Sequence, residues 1–244
     1  MSKLVVDSVN LQLYGAFDAY HAERLAKAPS AVAALPSDVV CVQEAWGPDT
    51  RAAILDAASS AFPYDAVFDF DLDTVPNDPT DQNGVVPAPH TTPPCAAPNA
   101  AFDQFIECVQ SQCVEPKGDA SGRPVNDLSA CLTRNCVAQT LPLLTGSSLA
   151  QDKACYSCGF VQLESFASPD QTRAACTQDP RARFAWNGNT GTFLLSRYPV
   201  KSSEAWVLPF TEFRVIVARA EVTLPAGESV DVYCTSLNEP QEGG

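Results

Sequence analysis

The sequence predicts an α/β layered fold opened by a disulfide-rich helical insert. Two observations predict it. Strand-like and helix-like segments alternate over the first 70 residues, and strand-like segments return after residue 180. Between them lie eight of the ten cysteines, from Cys95 to Cys176. The alternating order favours sheets covered by helices. The cysteine clustering reads as a stapled segment set into a larger fold and as an oxidising compartment.

Residues 4–13 alternate and are rich in Val and Leu, which predicts a strand. Residues 18–28 carry a helical pattern, which Pro29-Ser30 should end before a short second helix opens. "DVVCVQEAW" (38–46) begins as a buried strand, with Val39, Val40, Cys41 and Val42, and then ends its apolar run at Gln43-Glu44. Pro48-Asp49 starts a helix that places Ile54, Leu55, Ala58 and Phe62 on one face. Residues 64–70 are a third strand.

The character then changes. "DLDTVPNDPTDQNGVVPAPHTTPPCAAP" (71–98) is dense in Pro, Asp and Asn and reads as an irregular loop. "NAAFDQFIECVQSQCVE" and "NDLSACLTRNCVAQTLPLL" read as two short helices, each with a Cys-x4-Cys: Cys108 with Cys113, and Cys131 with Cys136. Five residues turn a helix about 140° past a full revolution, so the cysteines of one pair do not share a face. Bridges between the helices, or to Cys95, Cys155, Cys158 and Cys176, are expected instead, within an α-hairpin lobe. Zinc is the rival reading, but Cys155-Tyr-Ser-Cys158 alone has tight ligand spacing and no His lies near it.

After the lobe, "GTFLLSRYPV" (191–200), "EAWVLPF" (204–210), "FRVIVARAEVTLP" (213–225) and "SVDVYCTSL" (229–237) are β-rich, with "PAGES" as a hairpin turn. The expected organisation is therefore 1–70, the first part of the α/β domain; 71–180, loop and cysteine-rich insert; and 181–244, the continuation of the α/β domain. Cys41 and Cys234 fall in core strands and read as buried thiols.

A chain of 244 residues can bury roughly three quarters of its unfolded surface. A net charge of −14 argues against sequence-independent nucleic-acid binding across a whole face, though not against a local cationic cleft or a metal-loaded site. No segment is long enough to span a membrane, and the opening "MSKLVVDSVNLQLYG" lacks the pattern of a signal peptide. A secreted or extracytoplasmic protein, the reading the cysteines favour, would have carried its leader elsewhere.

The motif order completes the picture. Asn10 in "VDSVNLQLYG" comes first, then "LPSDVVCVQEAW" ending on Glu44, then a helix leading to "FPYDAVF". After the insert come "NGNTGTFLLSRYPV", "FRVIVARAEV" and "VDVYCTSL". This resembles the endonuclease/exonuclease/phosphatase superfamily, which includes pancreatic-type deoxyribonucleases, secreted sphingomyelinases and inositol-polyphosphate 5-phosphatases. The resemblance covers residues 4–70 and 187–237 and leaves out the cysteine-rich lobe. It implies a deoxyribonuclease-like β-sandwich flanked by helices, and a metal-dependent phosphodiester hydrolase. Glu44 would bind a catalytic Mg²⁺ (Mn²⁺ or Ca²⁺ as substitutes), with Asn10 as the polar catalytic group beside it. The chemistry agrees, because Mg²⁺ takes oxygen ligands and is typically held by one or two carboxylates plus substrate phosphate. "QEAW" followed by a helix and "FPYDAVF" looks most like the sphingomyelinase branch. The substrate would be a phosphodiester, in nucleic acid or a phospholipid head group, with no stable nucleic-acid complex.

Four other residues have readings of their own. Arg214 opens a strand and is a candidate catalytic group that could reach a phosphate, with edge solvation as the alternative. Arg197 either lines the cleft as a substrate-binding residue or simply ends its strand beside Tyr198-Pro199. Trp46 and Trp186 pack under the site or belong to the core.

The chain departs from the family pattern at Thr235-Ser236-Leu237, where members carry Thr-His-Leu, so Ser236 stands at the substrate-binding position without an imidazole. The family's Asp-x-Asn and Ser-Asp-His motifs would fall past Gly244. His21, on the first helix, and His90, in the Pro-rich loop, read as surface residues. The expectation is thus a truncated sandwich with one hydrophobic sheet face exposed, catalytically inactive by itself. The alternative from another class is a non-catalytic binding protein that uses the lobe as its interaction surface.

Overall fold

The computed structural model describes residues 3–16, 19–68, 93–95, 99–114, 124–125, 127–140, 150–183, 186, 189–208 and 215–236. Most of the expected Pro-rich loop (71–92 and 96–98), His90 and Arg214 lie outside the described residues.

Strands β1 (Val6–Leu13), β2 (Val39–Ala45), β3 (Tyr64–Ala66) and β4 (Phe193–Ser196) form one sheet in the order β1-β2-β4-β3. β1 and β2 are parallel, and β4 is antiparallel to β2 and β3. A parallel pair needs a crossover, which helix α1 (His21–Ala33) supplies, followed by α2 (Pro48–Ala58) after β2. The Val-rich run of β2 is buried on both faces, as a strand between two layers must be. Val40 and Val42 meet Val32, Ile54, Ala58 and Phe62 on the helical side. Val39 and Cys41 face the other way.

On that other side lies a second sheet, the antiparallel meander β5 (Val200–Val207), β6 (Ile216–Thr223) and β7 (Ser229–Thr235). β6 buries Ile216, Ala218, Ala220 and Val222 against Val39, Cys41 and Leu194. The order of layers is therefore helices, four-stranded sheet, three-stranded sheet. The "PAGES" turn closes β6 onto β7, with Gly227 at a φ of 85°, a conformation that strains any residue with a Cβ.

The outer face of the three-stranded sheet differs from the bare hydrophobic surface expected. Arg219 pairs with Glu204 at 2.5 Å and Asp231 at 2.7 Å, and Lys201 pairs with Glu221 at 2.7 Å. Outward positions of β6 carry these charges because its inward positions are every second residue. Trp206 and Tyr233 remain 46% and 58% exposed.

The lobe has its own core of Phe102, Phe105, Ile106, Val109, Leu128 and Leu163. Its helices are α3 (Ala100–Gln112), α4 (Leu128–Asn135), α5 (Ala150–Glu164) and α6 (Pro169–Gln178). Asn99 caps α3, Asp127 caps α4, and Ser168 with Gln171 forms a capping box on α6. The bridges Cys108–Cys136 and Cys113–Cys131 cross-link α3 to α4 as an antiparallel hairpin. Cys95–Cys155 and Cys158–Cys176 complete four bridges within the lobe, and none closes a Cys-x4-Cys pair.

The lobe docks on the segment that follows β1. Ala16 donates its N–H to the Glu164 carbonyl at 3.1 Å, and Leu128 donates to the Ala16 carbonyl at 2.5 Å. Gly15 makes this approach possible: its φ is 128°, and a Cβ there would sit 2.0 Å from the Glu164 oxygen.

Four sequence expectations are corrected. α1 runs unbroken through Pro29, because Ala28 and Val32 anchor both sides of the proline in the core and compensate for the lost backbone bond. β3 is shorter than 64–70, ending at Ala66. The expected 191–200 strand divides at Arg197-Tyr198-Pro199, where Ser196 Oγ and the Tyr198 backbone bond each other, so Val200 begins β5. Cys41 and Cys234 are a disulfide rather than two thiols, with Cα atoms 5.5 Å apart. Each faces inward from a different sheet, a pairing that only sheet-on-sheet packing creates.

Candidate functional site

The site grows from an irregularity at the C-terminal ends of β1 and β2. Their register runs Asn10↔Gln43 and then skips to Leu13↔Ala45. Gln12 and Glu44 both take left-handed backbone conformations, at φ 51° and 59°. For residues with a Cβ that geometry costs about 1–2 kcal/mol each. Two residues of β1, Leu11 and Gln12, stand opposite the single Glu44, and the left-handed backbone at Glu44 shifts the in–out alternation of β2. Val40 and Val42 face the helices and, past the bulge, so does Ala45 rather than Glu44. The freed Glu44 carboxylate is re-aimed toward the strand ends, as bulges beside functional sites do.

There it meets the two other candidates. Asn10 Nδ2 donates to Glu44 Oε1 at 2.6 Å, and Ser236 Oγ donates to the same oxygen at 3.4 Å. No described residue bonds Oε2. Glu44 is 7% exposed, whereas Asn10 on the edge strand β1 is open to solvent. Two groups, Asn10 from β1 and Ser236 just past β7, thus converge on the Glu44 carboxylate of β2. Their alignment is supported behind them: Gln43 Nε2 donates to the Thr235 carbonyl at 2.6 Å, and the Cys41–Cys234 bridge lies below. β7 is therefore held to β2 at three successive levels.

Aromatic rings surround the end of β2. Trp46 packs on Gly191, where a Cβ would lie 2.8 Å from the ring, and stacks with Tyr14 at 6.2 Å. Trp186 covers Gly15 and Gly47 and donates its backbone N–H to Ser165 Oγ of the lobe at 3.0 Å. Both tryptophans pack at the site's base.

Arg197 is not part of this convergence. Its neighbour Ser196 pairs with Val39, the first residue of β2, which puts it roughly 16 Å from Glu44 at the rise of a strand. It donates to the Ser37 carbonyl at 2.6 Å and the Leu35 carbonyl at 3.0 Å and stacks over Phe62 at 5.2 Å. Its cation holds the α1–β2 loop instead of facing the cleft.

His21 is corrected from a surface residue to a buried one, 6% exposed. Phe166 of the lobe covers its ring at 5.1 Å. Burial, with the nearby Arg24 guanidinium, holds its imidazole below the usual range. Nδ1 has no partner among the described residues.

Sequence reasoning missed Gln12, Gln43 and Arg24. Gln43 had a readable signal, a long polar side chain at an inward position of a core strand. Gln12 had none, since left-handed backbone at a glutamine leaves no compositional trace.

Among the described residues no group of three or more His, Cys, Asp or Glu side chains is clustered to hold a metal. The donor set is thus one carboxylate with an amide and a hydroxyl, which fits a water-rich hard cation and not a protein cage. No helix among the described residues is long and apolar enough to cross a membrane. No protein-family model, no curated protein and no solved structure matches the chain.

Proposed function

We propose that this chain carries the metal-binding part of a phosphodiester hydrolase of the endonuclease/exonuclease/phosphatase type. The observation that carries the reading is the Glu44 carboxylate, re-aimed by strained backbone to the end of a core strand, with Asn10 and Ser236 on one oxygen and the other unbonded by described residues. Strain of this kind concentrates where function maintains it.

In this reading Glu44, with Asn10 and Ser236 beside it, would hold Mg²⁺ or Mn²⁺. The bound ion supplies polarisation of a phosphoryl oxygen and stabilisation of the leaving group. The protein's own contribution is alignment. Asn10 fixes Glu44 by donating to it, and the inter-sheet staple keeps Ser236 beside both.

The acidic surface favours a phospholipid head group over nucleic acid as the source of the phosphodiester. All ten cysteines are paired, which supports a secreted or extracytoplasmic location.

The reading is tested by ³¹P relaxation of diethyl phosphate with Mn²⁺. The chain should enhance it through a ternary complex, and Glu44→Gln should abolish the enhancement. Equal relaxation with both proteins would refute the assignment. Turnover is a separate matter, because no imidazole is described beside Glu44. Loss of a general base costs on the order of 10²–10⁴ in rate, so hydrolysis of bis-p-nitrophenyl phosphate by this chain should stay near background.

Ser236 favours a second reading, a non-catalytic binding protein. Its hydroxyl touches Glu44 where the resemblance calls for an imidazole, so ligand capture could persist without hydrolysis.

A further inference from the structure

Asn10 presents its amide to Glu44 in one orientation, and the reason lies outside the three converging groups. Asn10 Oδ1 accepts the backbone N–H of Gln12 at 2.9 Å, so the amide nitrogen is the atom left to face Glu44. Gln12 can offer that N–H because its left-handed backbone, at φ 51°, takes it out of the β1–β2 ladder. The Gln12 side chain is held in turn. Its Oε1 accepts from Arg24 Nη1 at 2.8 Å, and Arg24 Nη2 donates to the Ala19 carbonyl. Ala19 precedes Tyr20, which is itself left-handed at φ 61° and opens α1 without a side-chain cap.

We propose that Gln12 and Arg24 are positioning residues: they form a hydrogen-bonded chain from the start of α1 to Asn10 that fixes the Asn10 amide nitrogen on Glu44. The metal consequence of this chain rests on the function proposed above; the chain itself does not. Arg24 acts by charge. A guanidinium donor to the Gln12 oxygen makes a stronger bond than a neutral partner would, and it holds an exposed, strained glutamine in one rotamer. With the Asn10 amide reversed, its oxygen would face the carboxylate and repel it. Glu44 would then lose the donor that holds Oε1, and Oε2 would lose its fixed direction. The chain also links the site to α1, so that movement of the α1 N-terminus reaches Glu44 through three hydrogen bonds.

The test uses two variants of the ¹⁵N-labelled chain. Gln12→Gly keeps the left-handed backbone without strain and removes the side chain; Arg24→Ala removes the cation. In the wild type, the Asn10 side-chain amide should sit apart from solvent-exposed amides. In both variants it should move toward the exposed position with the melting temperature little changed, and Arg24→Lys should restore part of the shift. An Asn10 amide unmoved in both variants overturns the proposal. Mg²⁺ titration separates the two claims: binding should weaken about fivefold in each variant, the effect of losing one ordinary hydrogen bond. Wild-type protein that binds no Mg²⁺ but shows the amide shifts would refute the metal reading and leave the chain standing. Unchanged Mg²⁺ affinity in both variants, with wild-type binding intact, counts against the positioning role.

Discussion

Cys41 of the four-stranded sheet is bonded to Cys234 of the three-stranded sheet, and this bridge lies directly beneath the contact between Glu44 and Ser236. The two cysteines are separated by 193 positions, with the whole lobe between them. The bridge therefore ties β2 to β7 whatever the lobe does. Gln43 and Thr235 add a hydrogen bond on the level between the bridge and the site.

Replacing this pair, Cys41→Ala with Cys234→Ala, should destabilise the chain by about 2–5 kcal/mol, the cost of removing a structural disulfide and its buried sulfurs. Chemical denaturation measures it. Non-reducing peptide maps should still show the four lobe bridges, because the lobe has a separate core. A loss below 1 kcal/mol would mean that the sheets hold their register without the staple.

Gly15→Ala should be among the most damaging single substitutions in the chain. Its Cβ would enter the Glu164 carbonyl, and its positive φ strains any side chain. The expected cost is about 3 kcal/mol or more, through loss of the lobe's docking on the sandwich. Thermal melting reads it directly. Gly227→Ala, where the space is open and strain acts alone, should cost about 1 kcal/mol.

Acid should loosen the junction between lobe and sandwich. His21 is buried against Phe166 with its imidazole pKa lowered. A lowered pKa means that the unfolded chain takes up the proton more readily. Its stabilising contribution is thus complete above the ordinary imidazole value of 6.5 and is lost as pH falls through that value toward the folded-state one. His21→Phe should remove this part of the pH dependence. Melting curves between pH 7.5 and about 5 decide it: parallel declines in the two proteins would assign the effect to other groups.

Much of the candidate site was readable in advance. An apolar run that stops at a carboxylate pointed to Glu44, and the motif order pointed to Asn10 and Ser236. The structure brings all three together. The helical phase of Cys108 and Cys113 argued against a bridge between them, and the cross-linked hairpin follows that reasoning. What escaped depends on packing between distant segments. Cys41 and Cys234 become partners only when two sheets stack. His21 becomes buried only when the lobe's Phe166 lands on it. Arg197 looked available for a phosphate, yet the loop carbonyls of Leu35 and Ser37 occupy it at the far end of β2. The bulge at Glu44 is local but silent, since glutamine and glutamate give no hint of left-handed backbone.

The central claim is that Glu44 is a cation ligand, and calorimetric titration with Mg²⁺ and Mn²⁺ tests it most directly. With one carboxylate and the remaining positions filled by water, the chain should bind either ion with a Kd on the order of millimolar. Glu44→Gln should bind neither, while its melting temperature stays within a few degrees of the wild type. Equal binding by the two proteins, or a Glu44→Gln variant that fails to fold, would contradict the account and leave Glu44 as the buried end of a structural strand.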